Sequence, residues 1–301
     1  MSRMPSETFS PNVPRILNIN IDRLSTTLLF ATTCLRCPRA NGSESIATAF
    51  FFAFYLSKTH RVPVIVTNNH VVEHAERAIF RMHTQQRLAD RTVPSVESVT
   101  ITYEDFPSQI IRHPGGLDLC AVTLAPLIKR LAKDGIELFY QPLTESMIVP
   151  DSRLQELPAM QDVVMVGYPT GLYDKKNNLP LLRNGKTSSH AAIDFDGKPE
   201  GLIDLACYPG SSGSPVVILN EGTYWEKDVV SVGTRAILLG ILSRGPQFSA
   251  KGRVAGSTIP DGSASIIESQ IPMHLGYYIK AKELLVLKNA VFVQEGIDLP
   301  G

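Results

Sequence analysis

Three side chains of this sequence sit where each would be reactive: a hydroxyl, an imidazole and a carboxylate. The hydroxyl is Ser212, within Asp204-Leu205-Ala206-Cys207-Tyr208-Pro209-Gly210-Ser211-Ser212-Gly213-Ser214-Pro215. Small residues and prolines crowd around it. A nucleophilic serine needs such a turn, because its Oγ must project into a cleft. The backbone N–H groups of the same turn must also face the oxygen that turns negative during acyl transfer. Gly210 and Gly213 permit backbone angles that larger residues resist. Gly, Ser and Pro clusters also make ordinary linker turns, so the stretch gains meaning only from what lies upstream.

The imidazole is His70, at the end of Val64-Ile65-Val66-Thr67-Asn68-Asn69-His70-Val71-Val72, where a β-branched strand runs into a polar turn. Histidine titrates near neutrality and is the natural proton shuttle for a serine. A single histidine at a strand end is more often structural than catalytic. The carboxylate is Asp118, between Leu117 and Leu119 at the start of an apolar strand. A partly buried carboxylate needs a partner, and an imidazole N–H is the partner a catalytic triad supplies. Asp105, in a polar turn before Phe106-Pro107, is a weaker rival. The order His70, Asp118, Ser212 is one of the chain orders in which a triad is assembled, on a two-barrel fold.

The elements that must bring these residues together read as strands. Short Val-, Ile-, Phe- and Thr-rich stretches alternate with turn signals, at Thr26–Thr33, Ile46–Tyr55, Pro63–Thr67, Arg77–Met82, Ser98–Tyr103, Gln109–Ile111 and Leu119–Leu124. A second series covers Asp162–Gly167, Leu181–Arg183, Ser188–Ile193, Leu202–Leu205, Pro215–Leu219, Ile237–Leu242 and Gly276–Lys280. This pattern predicts an all-β barrel or sandwich. Short helices are expected at Pro126–Lys133, with Gly135 past its end, and at Ala281–Leu287. Thr144–Gln161 separates the two series. The expected division is an N-terminal arm over 1–22, a first unit over 23–155 and a second over 156–301. Tyr173–Asn178 and Phe248–Ser263 read as mobile loops.

Composition narrows the function classes. Of 301 residues, 44% are hydrophobic and 19% charged, with 29 basic residues against 29 acidic ones. No basic excess points to nucleic acid or an anionic membrane. No apolar run reaches the roughly 18 residues that span a bilayer, and the polar start lacks a secretory signal pattern. A cytoplasmic protein with no nucleic-acid or membrane partner is expected. Cys34 and Cys37 form a lone C-x-x-C without the second ligand pair a zinc site needs. Cys120 and Cys207 read as small core residues. No metal and no cofactor are expected.

Four ordered motifs carry a resemblance. Thr67-Asn68-Asn69-His70-Val71-Val72, Leu117-Asp118-Leu119-Cys120-Ala121-Val122, Val166-Gly167-Tyr168-Pro169-Thr170-Gly171-Leu172 and the stretch from Asp204 to Pro215 resemble the trypsin-like, chymotrypsin-fold serine peptidases. They look closest to the HtrA/DegP-type branch, without its PDZ domain, over roughly residues 42–285. Two departures stand out. Ser214 occupies the usual second glycine after the nucleophile, and Thr48-Ala49-Phe50 replaces a glycine-rich approach to a barrel strand.

The resemblance implies two six-stranded antiparallel β-barrels with a short C-terminal helix and the site in the groove between them. It implies a serine endopeptidase acting on protein or peptide substrates through His70, Asp118 and Ser212. The oxyanion hole would be the turn Gly210, Ser211, Ser212, through the amides of Gly210 and Ser212. Substrate would be lined by Ala206, Cys207, Pro209, Ser243, Arg244 and Gly245, with no acid at Ala206 to select Lys or Arg. The loop Thr170–Ser188 would set the oxyanion turn, with an activating protein partner as a further expectation. The alternative is a protease-fold binding module with little turnover.

Overall fold

The computed structural model describes residues 16–297 except 18, 227–228 and 254–265. Helix α1 (Leu24–Leu28) leads into β1 (Thr32–Pro38), β2 (Glu44–Tyr55) and β3 (Arg61–Thr67). The one-turn α2 (Asn69–Val72) precedes β4 (Ala78–Arg87), β5 (Thr92–Tyr103), β6 (Ile110–Arg112) and β7 (Cys120–Thr123). Then come α3 (Ala125–Lys133), the short β8 (Leu138–Phe139) and β9 (Leu143–Thr144), and α4 (Asp151–Gln155). The second half holds β10 (Asp162–Gly167), β11 (Leu181–Thr187), β12 (Glu200–Asp204), β13 (Pro215–Glu226), β14 (Val229–Arg244), β15 (Gln247–Arg253), β16 (Ile266–Pro272), β17 (Leu275–Lys280) and α5 (Glu283–Gln294).

The all-β double-barrel expectation holds, with one difference in how the first barrel closes. Its strands run β5-β4-β1-β2-β3-β7-β6, with β8 added on β4 and β9 on β2. It thus has nine strands rather than the expected six, and its two ends, β5 and β6, do not pair, so its ladder is not closed. The 3₁₀ turn Phe106–Gln109 interrupts what would be one strand. Pro107 explains it, because proline has no N–H to give a ladder. The second barrel is closed and six-stranded, β10-β11-β12-β17-β14-β13.

Three apolar cores hold this arrangement. Leu35, Phe51, Ile65 and Val122 fill the first barrel, and Met165, Ile203, Val216 and Tyr278 fill the second. The third lies between them and takes Phe50, Phe52 and Phe54 from β2, Val217 and Ile241 from the second barrel, and Leu284, Leu287 and Phe292 from α5. Residues 47–54 of β2 are therefore buried on both faces, which is why they read as an unbroken apolar run rather than an alternation. Helix α5 lies against β6 and β7 of the first barrel. There Glu283 Oε2 is 3.2 Å from Nε2 of buried His113, whose Nδ1 accepts the Gly115 N–H at 3.1 Å.

Several expected elements differ. Thr26–Thr33 is not a strand: it spans α1 and a turn, and β1 begins at Thr32, so Cys34 and Cys37 lie within that strand. Ser188–Ile193 is a turn whose backbone bonds to Leu202. Phe248–Ser263 starts as β15, which pairs with β16 as a separate hairpin; its residues 254–263 lie outside the described residues. Of the expected arm 1–22, residues 1–15 and 18 also lie outside, while Ile16 bridges to Ser95.

Candidate active site

The end of β3 sets His70. Asn68 is extended and α2 lifts the histidine off the strand. Both asparagines then grip the loop that carries the acid. Asn68 Nδ2 donates to Asp118 O and Asn69 Nδ2 to Leu117 O, each at 2.8 Å, and Arg112 donates to Asn69 Oδ1 at 2.9 Å. Asp118 receives the His70 backbone N–H on Oδ1 at 3.0 Å and faces His70 Nδ1 with Oδ2 at 2.7 Å. Ser243 Oγ donates to the same Oδ2 at 3.0 Å. Burial pushes this carboxyl up, but the side-chain and backbone bonds from His70, its charge, and the bond from Ser243 outweigh it. The acid is held below its ordinary range. Asp105, the rival, stands at the 3₁₀ turn after β5, outside this contact set.

Ser212 stands just before β13, and the turn around it is anchored on its inner side. Thr170 N–H donates to Pro209 O at 2.6 Å, Thr48 Oγ1 to Gly210 O at 2.9 Å, and Thr48 N–H to Ser212 O at 3.0 Å. Thr48 Oγ1 also accepts the Tyr168 N–H at 3.0 Å. Gly210 and Gly213 have φ of +87° and +83°. Among the described residues the amides of Gly210 and Ser212 donate to no acceptor. The Ser211 amide does not join them. It donates to Tyr208 O at 3.0 Å, and the Ser211 side chain is fully buried and accepts from Arg183. Within the expected turn Gly210, Ser211, Ser212, the two amides expected as donors are thus without an acceptor among the described residues, and the one between them is engaged. Ser212 Oγ donates to Ser243 O at 3.2 Å rather than to the imidazole.

His70, Asp118 and Ser212 line one cleft of about 500 Å³, together with Cys207, Tyr208, Pro209, Leu242, Ser243, Arg244, Gly245 and Gln247. Ala206 does not line it. Its carbonyl is taken by Arg183 at 2.6 Å beneath the turn. Nor is Arg244 a free solvated charge. Both its terminal nitrogens donate to Glu200 at 2.7 Å, and its guanidinium lies 4.3 Å over the Tyr277 ring. Desolvation pushes the Cys207 thiol up to about 11, so this part of the cleft wall is a neutral thiol. No group of His, Cys, Asp and Glu among the described residues is arranged to hold a metal ion.

Arg183 and Glu200 carry site geometry that motif reading passes over, while Thr48 and Thr170 fall within stretches already marked. The departure at Ser214 is explained across the interface of β10. A Cβ on Gly167 would run into Ser214 Oγ, so the missing side chain at Gly167 makes room for the added one at Ser214.

Two β-barrels with a serine, an imidazole and a carboxylate at their seam define a peptidase-type fold. Residues 48–225 match the trypsin-like peptidase domain family, and the chain belongs to it. No curated protein matches its sequence. Among solved structures it is similar to the HL collagenase, at 14% identity over 91% of this chain and 96% of that one, with a TM-score of 0.46. It is also similar to an inactivated protease paralogue of the scabies mite, at 12% identity over 89% and 94%, TM-score 0.40. A third is a protein designated GrC, at 10% identity over 89% and 94%, TM-score 0.39. No helix among the described residues is long and apolar enough to cross a membrane.

Proposed function

We propose that the protein is a serine endopeptidase in which Ser212 attacks a peptide carbonyl. The observation that carries this reading is the 2.7 Å contact between His70 and Asp118 in the cleft that Ser212 also lines, beside a turn whose Gly210 and Ser212 amides donate to no acceptor among the described residues. Rotation about Ser212 χ1 moves its hydroxyl from Ser243 O toward the imidazole. His70 takes the proton and later returns it to the leaving amine. Asp118 receives Nδ1–H, fixes the tautomer and stabilises the imidazolium. The two amides meet the developing oxyanion. Paired Arg244 and the neutral Cys207 wall favour small or apolar side chains before the cut. The Thr170 amide couples the hole to the loop Thr170–Ser188, so an activating protein partner that moved this loop would set or release the turn.

Ser212→Ala tests the reading. Cleavage of an unfolded protein and labelling by a fluorophosphonate are expected in the wild type and absent from this variant, and an unchanged rate ends the assignment. A second reading, a protease-fold binding module with little turnover, draws on the Ser212 hydroxyl facing Ser243 O. It predicts a folded wild type that the fluorophosphonate does not label.

A further inference from the structure

Arg183 is the charged side chain near the cleft with no charged partner. It lies on β11, beneath the turn that runs from Ala206 to Ser211. One terminal nitrogen donates to Ala206 O at 2.6 Å and the other to Ser211 Oγ at 2.9 Å. Its Nε is buried and has no acceptor. Among the described residues no carboxylate pairs with it, whereas Arg244 has Glu200 and Lys280 has Asp194. Withdrawal from water pushes its pKa down. Taking a cation out of water without a counter-charge is costly, so the two acceptors must justify its place.

Those acceptors mark the two ends of the turn. Ala206 opens it, and Ser211 lies between Gly210 and Ser212. Pro209 O and Gly210 O are already held from the inner side by Thr170 and Thr48. The buried Ser211 hydroxyl accepts its bond from Arg183. A planar guanidinium suits the task because its fork reaches two acceptors at fixed spacing, and bonds from a charged donor are the stronger ones. A positive charge bonded to this turn also has the sign that favours an oxyanion beside it.

We propose that Arg183 is a positioning residue that holds the oxyanion-binding turn open from beneath and keeps the Gly210 and Ser212 amides aimed into the cleft. The inference rests on the serine-peptidase reading. It is specific to this chain's β11 and requires no group from outside the molecule. The guanidinium acts through Ser211 and does not touch substrate, so it governs turnover rather than substrate binding.

Wild type, Arg183→Met, Arg183→Lys and Ser211→Ala are compared with labelled casein and a fluorophosphonate, with near-ultraviolet circular dichroism to establish folding. Arg183→Met is expected to lower kcat by about 100-fold, the scale of one lost oxyanion donor, and to slow phosphonylation of Ser212 in parallel. KM should stay within about twofold, because uniform binding is untouched. Arg183→Lys, which keeps a cation able to reach one acceptor, should fall between Arg183→Met and wild type. If Arg183→Met does not fold, Ser211→Ala carries the test, since it removes the acceptor and leaves the cation in place; a lowered kcat is expected. Unchanged kcat in the folded variant, or a raised KM with kcat intact, overturns the proposal. A wild type that neither cleaves casein nor labels at Ser212 would remove the peptidase reading instead, and this inference with it.

Discussion

Gly210→Ala separates the geometry of the oxyanion turn from the general cost of straining a loop. The backbone of Gly210 sits at φ +87°, and a Cβ placed there would lie 2.6 Å from Tyr168 O and 2.8 Å from Thr170 N. Both neighbours are main-chain atoms of the segment that holds Pro209 O, so neither can rotate away. Two costs follow. Left-handed backbone costs an alanine about 1–2 kcal/mol. The clash must then be relieved by moving the turn, which carries the Gly210 N–H off the site of the oxyanion. Losing one such donor costs about 2.7–4 kcal/mol, or about 100- to 1000-fold in kcat. Gly135 supplies the control, because its φ is +76° and nothing lies within 4 Å of its Cβ position. Gly135→Ala should lose about 1–2 kcal/mol of stability and keep full kcat. Initial rates on casein, fluorophosphonate labelling and thermal melts of both variants make the comparison. A Gly210→Ala protein within about tenfold of the wild-type rate would refute the assignment of this amide as an oxyanion donor.

Three further outcomes follow from contacts already described. Gly167→Ala should destabilise the fold and slow turnover, because its Cβ meets Ser214 Oγ and also lies 2.5 Å from Thr48 Oγ1. Adding Ser214→Gly should restore part of both, and strictly additive losses in the double-mutant cycle would count against the fit across β10. Asp118 is held below its ordinary pKa of about 3.9, so the stability it contributes is present above that value and is lost as pH falls through its lower folded value. The gap in Tm between wild type and Asp118→Asn should therefore be constant from pH 7 down to about pH 4 and shrink below it; a gap that grows on acidification has the wrong sign. Burial pushes the thiols of Cys34 and Cys207 up to about 11 and that of Cys37 to about 12. Iodoacetamide at pH 8 should leave the native thiols unmodified and alkylate them after denaturation, as mass spectrometry would report; rapid native labelling of Cys207 would show an open thiolate in the cleft.

Sequence patterns exposed the candidate residues and the all-β class because those demands are local. A serine nucleophile needs its glycines within a few positions, and the β-branched run before His70 has strand character wherever it falls. Contacts formed across the seam left less trace. Arg183 looks like one more strand charge until Ala206 O and Ser211 Oγ are seen beside it. The pairing of Arg244 left no trace either, because Glu200, its partner, belongs to a strand distant in sequence. The bond from Arg183 to the buried Ser211 hydroxyl was equally hidden, since nothing in Gly-Ser-Ser-Gly names a donor on β11. Thr26–Thr33 has strand composition, yet its first residues form α1, which docks on β13 through Ser25 and Glu221. Tertiary packing overrode propensity there. The break between β5 and β6 had a local signal in Asp105-Phe106-Pro107, where a turn residue and a proline fall together.

The close approach of Glu283 to His113 ties the loop of Asp118 to the last helix of the fold. Ribosomal synthesis reaches Glu283 well after the imidazole, the acid and the hydroxyl have all emerged. A growing polypeptide thus possesses all three candidate residues before it possesses the helix that contacts the loop of one of them, and the His113–Glu283 contact forms only once nearly the whole chain has been made.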